Sequence, residues 1–211
     1  MWLKKEPALA MGAVETKARC DSRIAHWIYV GDTALHAAAA GYRVEIAEML
    51  LAAGADPSAA KNHRRSQPLH YAADGCPENP AWDAIRQVAM LRLLLEGGAD
   101  LHAQDKNGAT PLHRAVRTRC AAAVKFLLDA GADATIKNKP GSTSFHLAVQ
   151  NTGRGGSGAK VAKIAQREII EAFLAKGVSA NLTDQNGKSV IARAKSDSMR
   201  EMLTGKDRGA R

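Results

Sequence analysis

Apolar residues recur along this chain at the spacing of short amphipathic helices that come in pairs. In one pair, Leu112, Ala115 and Val116 lie three and four residues apart, and residues 124–128 repeat that spacing. Positions three and four apart share one face of a helix, so each segment presents a single apolar stripe. The pattern therefore predicts two short helices, each with one buried face.

The residues around these stripes predict where the two helices begin and end. Thr110 followed by Pro111 suits a helix start, because the hydroxyl caps free N–H groups and proline already has a helical φ. Gly131 suits a helix end, where a positive φ is tolerated. The Asp-Lys-Asn-Gly segment at 105–108 is rich in turn residues and predicts the connection that precedes this pair.

Two short sequence phrases recur in a fixed order. The first ends in Leu-His or Phe-His, and its histidines are His36, His70, His113 and His146. The second, of the type Leu-Leu-x-x-Gly-Ala-Asp, lies at residues 50–56, 94–100 and 127–133, and more weakly at 173–178. One such unit cannot bury its apolar stripes alone, so the units are predicted to stack into one array.

These two phrases resemble the Thr-Pro-Leu-His and Leu-Leu-x-x-Gly-Ala-Asp marks of ankyrin repeats, and the resemblance covers about residues 31–191. It implies an all-α ankyrin-repeat solenoid, built of helix–turn–helix units joined by β-hairpins or loops. The chain is predicted to form a single domain over residues 1–211. Its parts are an N-terminal cap at 8–30, four repeats at 31–64, 65–107, 108–140 and 141–186, a C-terminal cap at 187–203 and a basic tail at 204–211.

Two of the four repeats are longer than the others. The Leu-His marks of the first two repeats are 34 residues apart and those of the last two are 33 apart, whereas 43 residues separate the second from the third. The distances between the two phrases place the extra residues between the two helices of repeats two and four, at 74–83 and near 151–160. We expect both insertions to leave the array at the same end, on either side of repeat three.

Composition and charge favour an anionic partner. The 211 residues carry a formal net charge of +9, and aromatic residues make up only 4% of them. Residues 134–167 contain six Lys or Arg and no acid, which keeps nucleic-acid binding through the basic C-terminal half as an alternative. The scarcity of aromatic residues counts against single-stranded nucleic acid, which binds on stacking platforms.

The sparse cysteines and the hydropathy pattern predict a cytoplasmic protein. Cys20, Cys76 and Cys120 lie far apart, and an odd, scattered count is unlike a disulfide framework. The first residues lack the apolar run of a secretory signal, and no stretch has the length needed to cross a bilayer. We therefore expect no membrane insertion.

The histidines do not predict a metal site or an enzyme. The resemblance implies that His36, His70, His113 and His146 are structural, each bracing the hairpin and the neighbouring helix by hydrogen bonds. No set of residues has the roles that a reaction requires, so neither catalysis nor a cofactor is expected.

The leading hypothesis is a monomeric protein–protein interaction scaffold that binds an acidic partner protein on its concave and hairpin surface. The family arrangement places the first-helix faces and the hairpin tips on that surface. The predicted contact residues are Tyr29, Tyr42, His63, Arg64, Tyr71, Asp74, Lys106, Asn107, Arg114 and Arg117.

A second hypothesis is a pocket for an anion or a phosphorylated small molecule between the two insertions. Arg114 and Arg117 lie three apart on one helix face, and Arg119 lies in the turn that follows. The insertions would enclose these cations from both sides. The predicted anion-binding residues are Arg114, Arg117, Arg119, Arg154 and Lys160.

Overall fold

The structure, a computed structural model, describes residues 12–15, 18–20, 26–77, 79, 82–150 and 160–205. Two strands precede a series of short helices. The strands are β1 (Ala18–Cys20) and β2 (His26–Ile28). The helices are α1 (Ala34–Ala40), α2 (Val44–Ala52), α3 (Pro68–Ala73), α4 (Ala84–Glu96), α5 (Pro111–Arg117), α6 (Ala121–Asp129), α7 (Ser144–Ala148), α8 (Lys160–Ala175), α9 (Val190–Arg193) and α10 (Asp197–Thr204).

The helices pack as pairs in two parallel layers. Each of α1, α3, α5 and α7 contacts the helix that follows it, and each also contacts its neighbour in the same layer. The helices α2, α4, α6 and α8 form the second layer in the same way. The short pair α9 and α10 closes the series, with α9 against α7 and α10 against α8. Contacts therefore run between neighbours, as in a repeat solenoid.

The helix boundaries follow the capping residues of the repeated phrases. The Thr110 hydroxyl accepts a hydrogen bond from the His113 N–H at the start of α5, and Pro111 is the first helical residue. Thr143 caps α7 in the same way. Gly131, just beyond α6, has a φ of +92°, a conformation that favours glycine over residues with a side chain.

Small and branched apolar side chains fill the space between the layers. The buried position of the first phrase holds Leu35, Leu69, Leu112 or Phe145, each at most 1% exposed. In the last full pair, Phe145 stacks on Phe173 with ring centroids 4.5 Å apart. Alanines such as those of α1 let the helices approach closely, and this explains how a chain poor in aromatic residues still forms a continuous core.

Part of each insertion is additional helix. The helix α4 begins ten residues before Leu94, and α8 begins thirteen residues before Phe173. In the shorter units, α2 and α6 begin only six residues before the equivalent leucine. The second helices of the longer units are therefore extended by about one and two turns. Of the second insertion, residues 151–159 lie outside the described residues.

A small β-hairpin precedes the first helix of the array. Strands β1 and β2 pair in antiparallel fashion with Arg19 opposite Trp27. Upstream of them, Val14 donates its N–H to the Asp32 carbonyl at 2.6 Å and so ties the N-terminal segment to the start of the helical array. Residues 8–11, 16–17 and 21–25 of the expected N-terminal cap, and 206–211 of the expected basic tail, lie outside the described residues.

No helix among the described residues combines the length and the apolar character that crossing a bilayer requires.

Candidate interaction surface

A ladder of buried histidines joins each helix pair to the next. In the first pair, the Thr33 N–H donates to Nδ1 of His36 at 3.0 Å, so the proton lies on Nε2. Nε2 then donates to the Ser66 carbonyl at 2.9 Å, just before the next first-layer helix. The same contact is repeated three times, from His70 to Ala109, from His113 to Ser142 and from His146 to Lys188. These bonds fix the spacing and orientation of the units.

Burial makes these histidines neutral. It lowers the pKa of His36, His113 and His146, and it lowers the pKa of His70 to about 4. With both ring nitrogens hydrogen-bonded, these side chains offer no lone pair to a metal ion. Over the part of the chain that the structure describes, no group of three metal-ligating side chains comes together.

The turns between units form a second, exposed row of contacts. We call residues 61–65, 105–108, 137–141 and 184–188 the hairpin-tip row. Backbone hydrogen bonds join successive tips: Lys106 N–H to the Arg64 carbonyl at 2.7 Å, Lys139 N–H to Asn107 at 2.9 Å and Gln185 N–H to Gly141 at 3.0 Å. The row is therefore a continuous ridge whose tips are fixed relative to one another.

The hairpin-tip row is positively charged. Its two carboxylates, Asp105 and Asp184, are buried and paired with Arg114 and Arg193. The cationic side chains, by contrast, reach solvent, and they are Lys61, Arg64, Arg65, Lys106, Lys137, Lys139 and Lys188. Five of these seven cations are absent from the predicted contact set, namely Lys61, Arg65, Lys137, Lys139 and Lys188. Their shared place in the turn of each repeat was the signal that would have found them.

An aromatic group lies beside the first tip of this row. The Arg64 guanidinium lies 5.1 Å from the centre of the Tyr29 ring and donates to its hydroxyl at 3.0 Å. His63 meets the same ring edge-on at 4.9 Å. Three of the predicted contact residues thus form one cluster with polar, cationic and aromatic surface.

The structure corrects the interpretation of Tyr42 and Tyr71 as contact residues, because both are buried. Tyr42 is 3% exposed and donates its hydroxyl to the Asp74 carbonyl. Tyr71 is 2% exposed and donates its hydroxyl to Oδ2 of Asp32 at 2.8 Å. Burial raises the pKa of both phenols, so they stay protonated and join neighbouring units from inside.

Arg114 is likewise an internal residue. Its side chain donates to Asp74 at 2.7 Å, to Asp105 at 2.6 Å and to the Ser66 hydroxyl at 3.0 Å. Burial alone would lower the pKa of Arg114, but the two carboxylates raise it above its ordinary value. A ligand would have to displace these partners, so Arg114 is removed from both predicted binding sets. Asp74, at 9% exposure, is likewise removed from the contact set.

The cations predicted to bind an anion are divided among several environments. Arg117 is half-exposed and donates to Oδ1 of Asp74 at 3.3 Å. Arg119 is buried and donates to the Gln150 carbonyl at 3.0 Å. Lys160 begins α8, and Arg154 lies outside the described residues. The described residues therefore give the cations no common, open pocket.

Models of one family match the helical array. A model described as ankyrin repeat matches residues 30–62 and 66–106, and one described as ankyrin repeats in many copies matches residues 93–148. Together these matches cover more than half of the chain. The chain belongs to the ankyrin-repeat family. A search of curated proteins found no match.

The matched ankyrin region holds the four histidines of the ladder, two complete segments of the hairpin-tip row at 105–108 and 137–141, and residues 61–62 of the first segment. The helices from α8 onward follow it. Two glutamines are particular to the longer ankyrin units: Gln87 donates to the Ala72 carbonyl at 3.0 Å, and Gln166 donates to the Ala148 carbonyl at 2.7 Å. Each lies seven residues before the Leu or Phe of the second phrase and holds the extended helix against its partner.

Proposed function

We propose that this ankyrin-repeat chain is a non-catalytic scaffold that binds an acidic surface of a partner protein along its hairpin-tip row. Ankyrin repeats generally mediate protein–protein interaction. The observation that carries the proposal is the charge of the row, in which seven cations face solvent while both carboxylates are buried and paired. In this proposal the chain is a cytoplasmic monomer with four repeats between two caps.

The rigidity of the row supports binding without large rearrangement. Backbone hydrogen bonds join successive tips, and the histidine ladder fixes the helices behind them. A surface that is already ordered loses little conformational entropy when a partner binds. We therefore expect the partner to meet a preformed, slightly ridged surface rather than to order a loop.

The predicted contact residues that remain accessible divide into two roles. Tyr29, His63 and Arg64 supply aromatic and cationic contact at the first tip, where desolvation strengthens the attraction between Arg64 and the Tyr29 ring. Lys106 and Asn107 continue the row, and their exposed charge and amide chiefly affect the association rate and the fit of the partner. Arg117 adds a half-exposed cation from α5.

The test first identifies the partner and then reverses charge at matched places. A photo-crosslinking amino acid at Asn107 in the full chain would capture the partner in cells. Binding of that partner would then be measured for the double variant Lys106→Glu with Lys139→Glu. The matched control is Arg43→Glu with Lys125→Glu, which changes the net charge equally at exposed positions of the helical layers.

The proposal expects the tip variant to weaken binding by about tenfold or more, chiefly through a slower association rate that added salt also lowers. The control variant should bind almost as the wild type does. Equal binding by both double variants would contradict the proposal, because the row would then contribute no specific attraction.

Nucleic acid is a second candidate because the row of cations is continuous along the array. A phosphate backbone would bind with an affinity that falls linearly with salt on a double-logarithmic plot. Binding of a duplex of random sequence, with a steep salt slope that the tip variant reduces, would favour this alternative. The small-anion alternative has weaker support, because Arg114 is held internally by Asp74 and Asp105.

A further inference from the structure

A groove lies at the C-terminal end of the array, among residues that the hairpin-tip row does not contain. It has a volume of about 580 Å³ and is bounded by α8 and α10. Its apolar lining comes from Ile164 and Ile170 of α8 and from Met199 and Met202 of α10. Ile170 is fully buried at the floor, whereas half of the Ile164 surface is exposed.

The groove exists because the last two second-layer helices differ in length. The helix α8 has 16 residues and α10, which packs on it, has only 8, a larger difference than the one between α4, with 13 residues, and α6, with 9. The first two turns of α8 therefore keep apolar side chains in solvent, including Ile164. An apolar surface left open in this way marks a contact site more often than a random surface position does.

Cations surround the apolar floor. Lys160, Lys163 and Arg167 line the groove from α8, and Lys195 lines it from the segment before α10. No carboxylate is part of the lining. Arg167 is held by Glu171 at 2.9 Å, but among the described residues no carboxylate pairs with the three lysines. The groove thus combines an apolar centre with an uncompensated positive rim.

Nearby segments of the chain itself do not have the complementary chemistry. Residues 151–159 contain no acid and no large apolar side chain, and residues 206–211 contain three cations and one acid. An occupant that matches this groove needs apolar side chains for the floor and carboxylates for the rim. Neither of these two segments offers that combination, which favours a second molecule as the occupant.

We propose that the groove between α8 and α10 binds an acidic amphipathic helix of a partner protein. A helix laid in such a groove inserts apolar side chains from successive turns, and acidic residues beside that stripe reach the flanking lysines. The two methionines suit this role because their unbranched, flexible side chains adapt to different apolar shapes. This site is independent of the hairpin-tip row.

A membrane surface fits the groove less well than a helix does. Membrane-binding faces project their apolar side chains outward, beyond the cations that meet the head groups. Here Ile170 lies at the bottom of a concave groove and the lysines form its rim. An apolar floor within a charged rim can therefore receive the protruding apolar stripe of a helix.

The test uses the full chain and a displayed library of random helix-length peptides, selected for binding at near-physiological salt. Binding of the enriched peptides is then measured for Ile164→Asp and for the matched control Val161→Asp. Val161 is 55% exposed on the same helix and does not line the groove. Lys163→Glu serves as a second groove variant that leaves the apolar lining unchanged.

The proposal expects acidic peptides with apolar residues three and four apart. Their affinity should fall about tenfold or more in Ile164→Asp and in Lys163→Glu, and less than about twofold in Val161→Asp. The variant with Lys106→Glu and Lys139→Glu should bind them as the wild type does, which separates this site from the hairpin-tip row. Unchanged circular dichroism and melting temperature would establish that the variants fold.

Two results would overturn the proposal. One is enrichment of peptides without the acidic amphipathic pattern, or of peptides that bind Ile164→Asp as tightly as the wild type. The other is sedimentation of the chain with phosphatidylserine vesicles, lost in Ile164→Asp, when no peptide binds the groove. The second result would assign the groove to a membrane surface.

Discussion

Arg114 carries a permanent charge at a position that water hardly reaches, with 2% of its surface exposed. Asp74 comes from the preceding repeat and Asp105 from the turn before α5, so this ion pair network joins consecutive units. Removing one partner from a buried pair is costly, because the remaining charge stays buried without compensation. Arg117 binds the same Asp74 but is half-exposed, so water replaces its contact easily.

Replacing Arg114 by methionine is therefore expected to destabilise the chain by about 3–5 kcal/mol, because two buried carboxylates lose their cation. Urea unfolding followed by circular dichroism measures this loss. Arg117→Met is the matched control and should cost less than about 1 kcal/mol. Similar small losses in the two variants would show that Arg114 is not a structural ion pair partner.

The sequence predicted the positions of these two arginines but not their different roles. Their spacing of three residues places Arg114 and Arg117 on one face of α5, and this was the basis for assigning both to a binding surface. Which of them is enclosed depends on Asp74, forty residues earlier, and on the depth at which the two units pack. Side-chain pairing at that distance leaves no periodic trace in a single sequence.

At the scale of the elements, the histidine ladder makes the array sensitive to acid. The His70 ring accepts at Nδ1 from the Gln67 N–H and donates from Nε2 to the Ala109 carbonyl, so only its neutral form satisfies both contacts. Burial lowers the pKa of His70 from 6.5 to about 4. Between these values the unfolded chain binds a proton that the folded chain does not, so stability falls as the pH falls.

We expect the contribution of His70 to the free energy of unfolding to be complete above pH 6.5 and to decrease as the pH falls towards about 4. The loss from this residue alone is about 3 kcal/mol, and the other ladder histidines add to it. Urea unfolding across this range measures the slope. His70→Asn should have a smaller slope, whereas His63→Gln, at an exposed tip, should keep it. A slope that is the same for all three chains would contradict the prediction.

The two insertions show how far element lengths follow from sequence. The spacing of the phrases indicates which units are longer, because helix pairs of constant length keep those phrases in register. It does not indicate that part of the added sequence extends α4 and α8 rather than forming loop. In both extended helices a glutamine, Gln87 or Gln166, donates its side-chain amide to a carbonyl at the end of the preceding helix.

For the whole molecule, the fold was predictable because each unit contacts only the units next to it and the same contacts recur along the array. Each helix meets its partner and the equivalent helices of the adjacent units, so a repeat in the sequence corresponds to a repeat in space. The N-terminal hairpin and the groove between α8 and α10 break this regularity at the two ends. They depend on where the stacking stops, and the repeated phrases carry no information about that.

The same architecture predicts that damage at one end of the array stays near that end. Phe173→Ala removes the ring that stacks on Phe145 in the last full pair and should cost about 3–5 kcal/mol there. Because each unit is stabilised only by contacts with its neighbours, amide hydrogen exchange should accelerate in α7–α10 and remain nearly unchanged in α1–α4. Hydrogen exchange with mass spectrometry measures this for each helix.

Leu50→Ala, in the first pair, is the matched variant at the other end, where the expected pattern is reversed. Uniform acceleration in both variants would mean that the array unfolds as one cooperative unit. Local acceleration, by contrast, would show that the groove keeps its structure only while the last full pair is folded, since α8 supplies both Phe173 and the groove residue Ile164. Peptides that bind the groove should then slow exchange in α8 and α10 and should bind Phe173→Ala more weakly than Leu50→Ala.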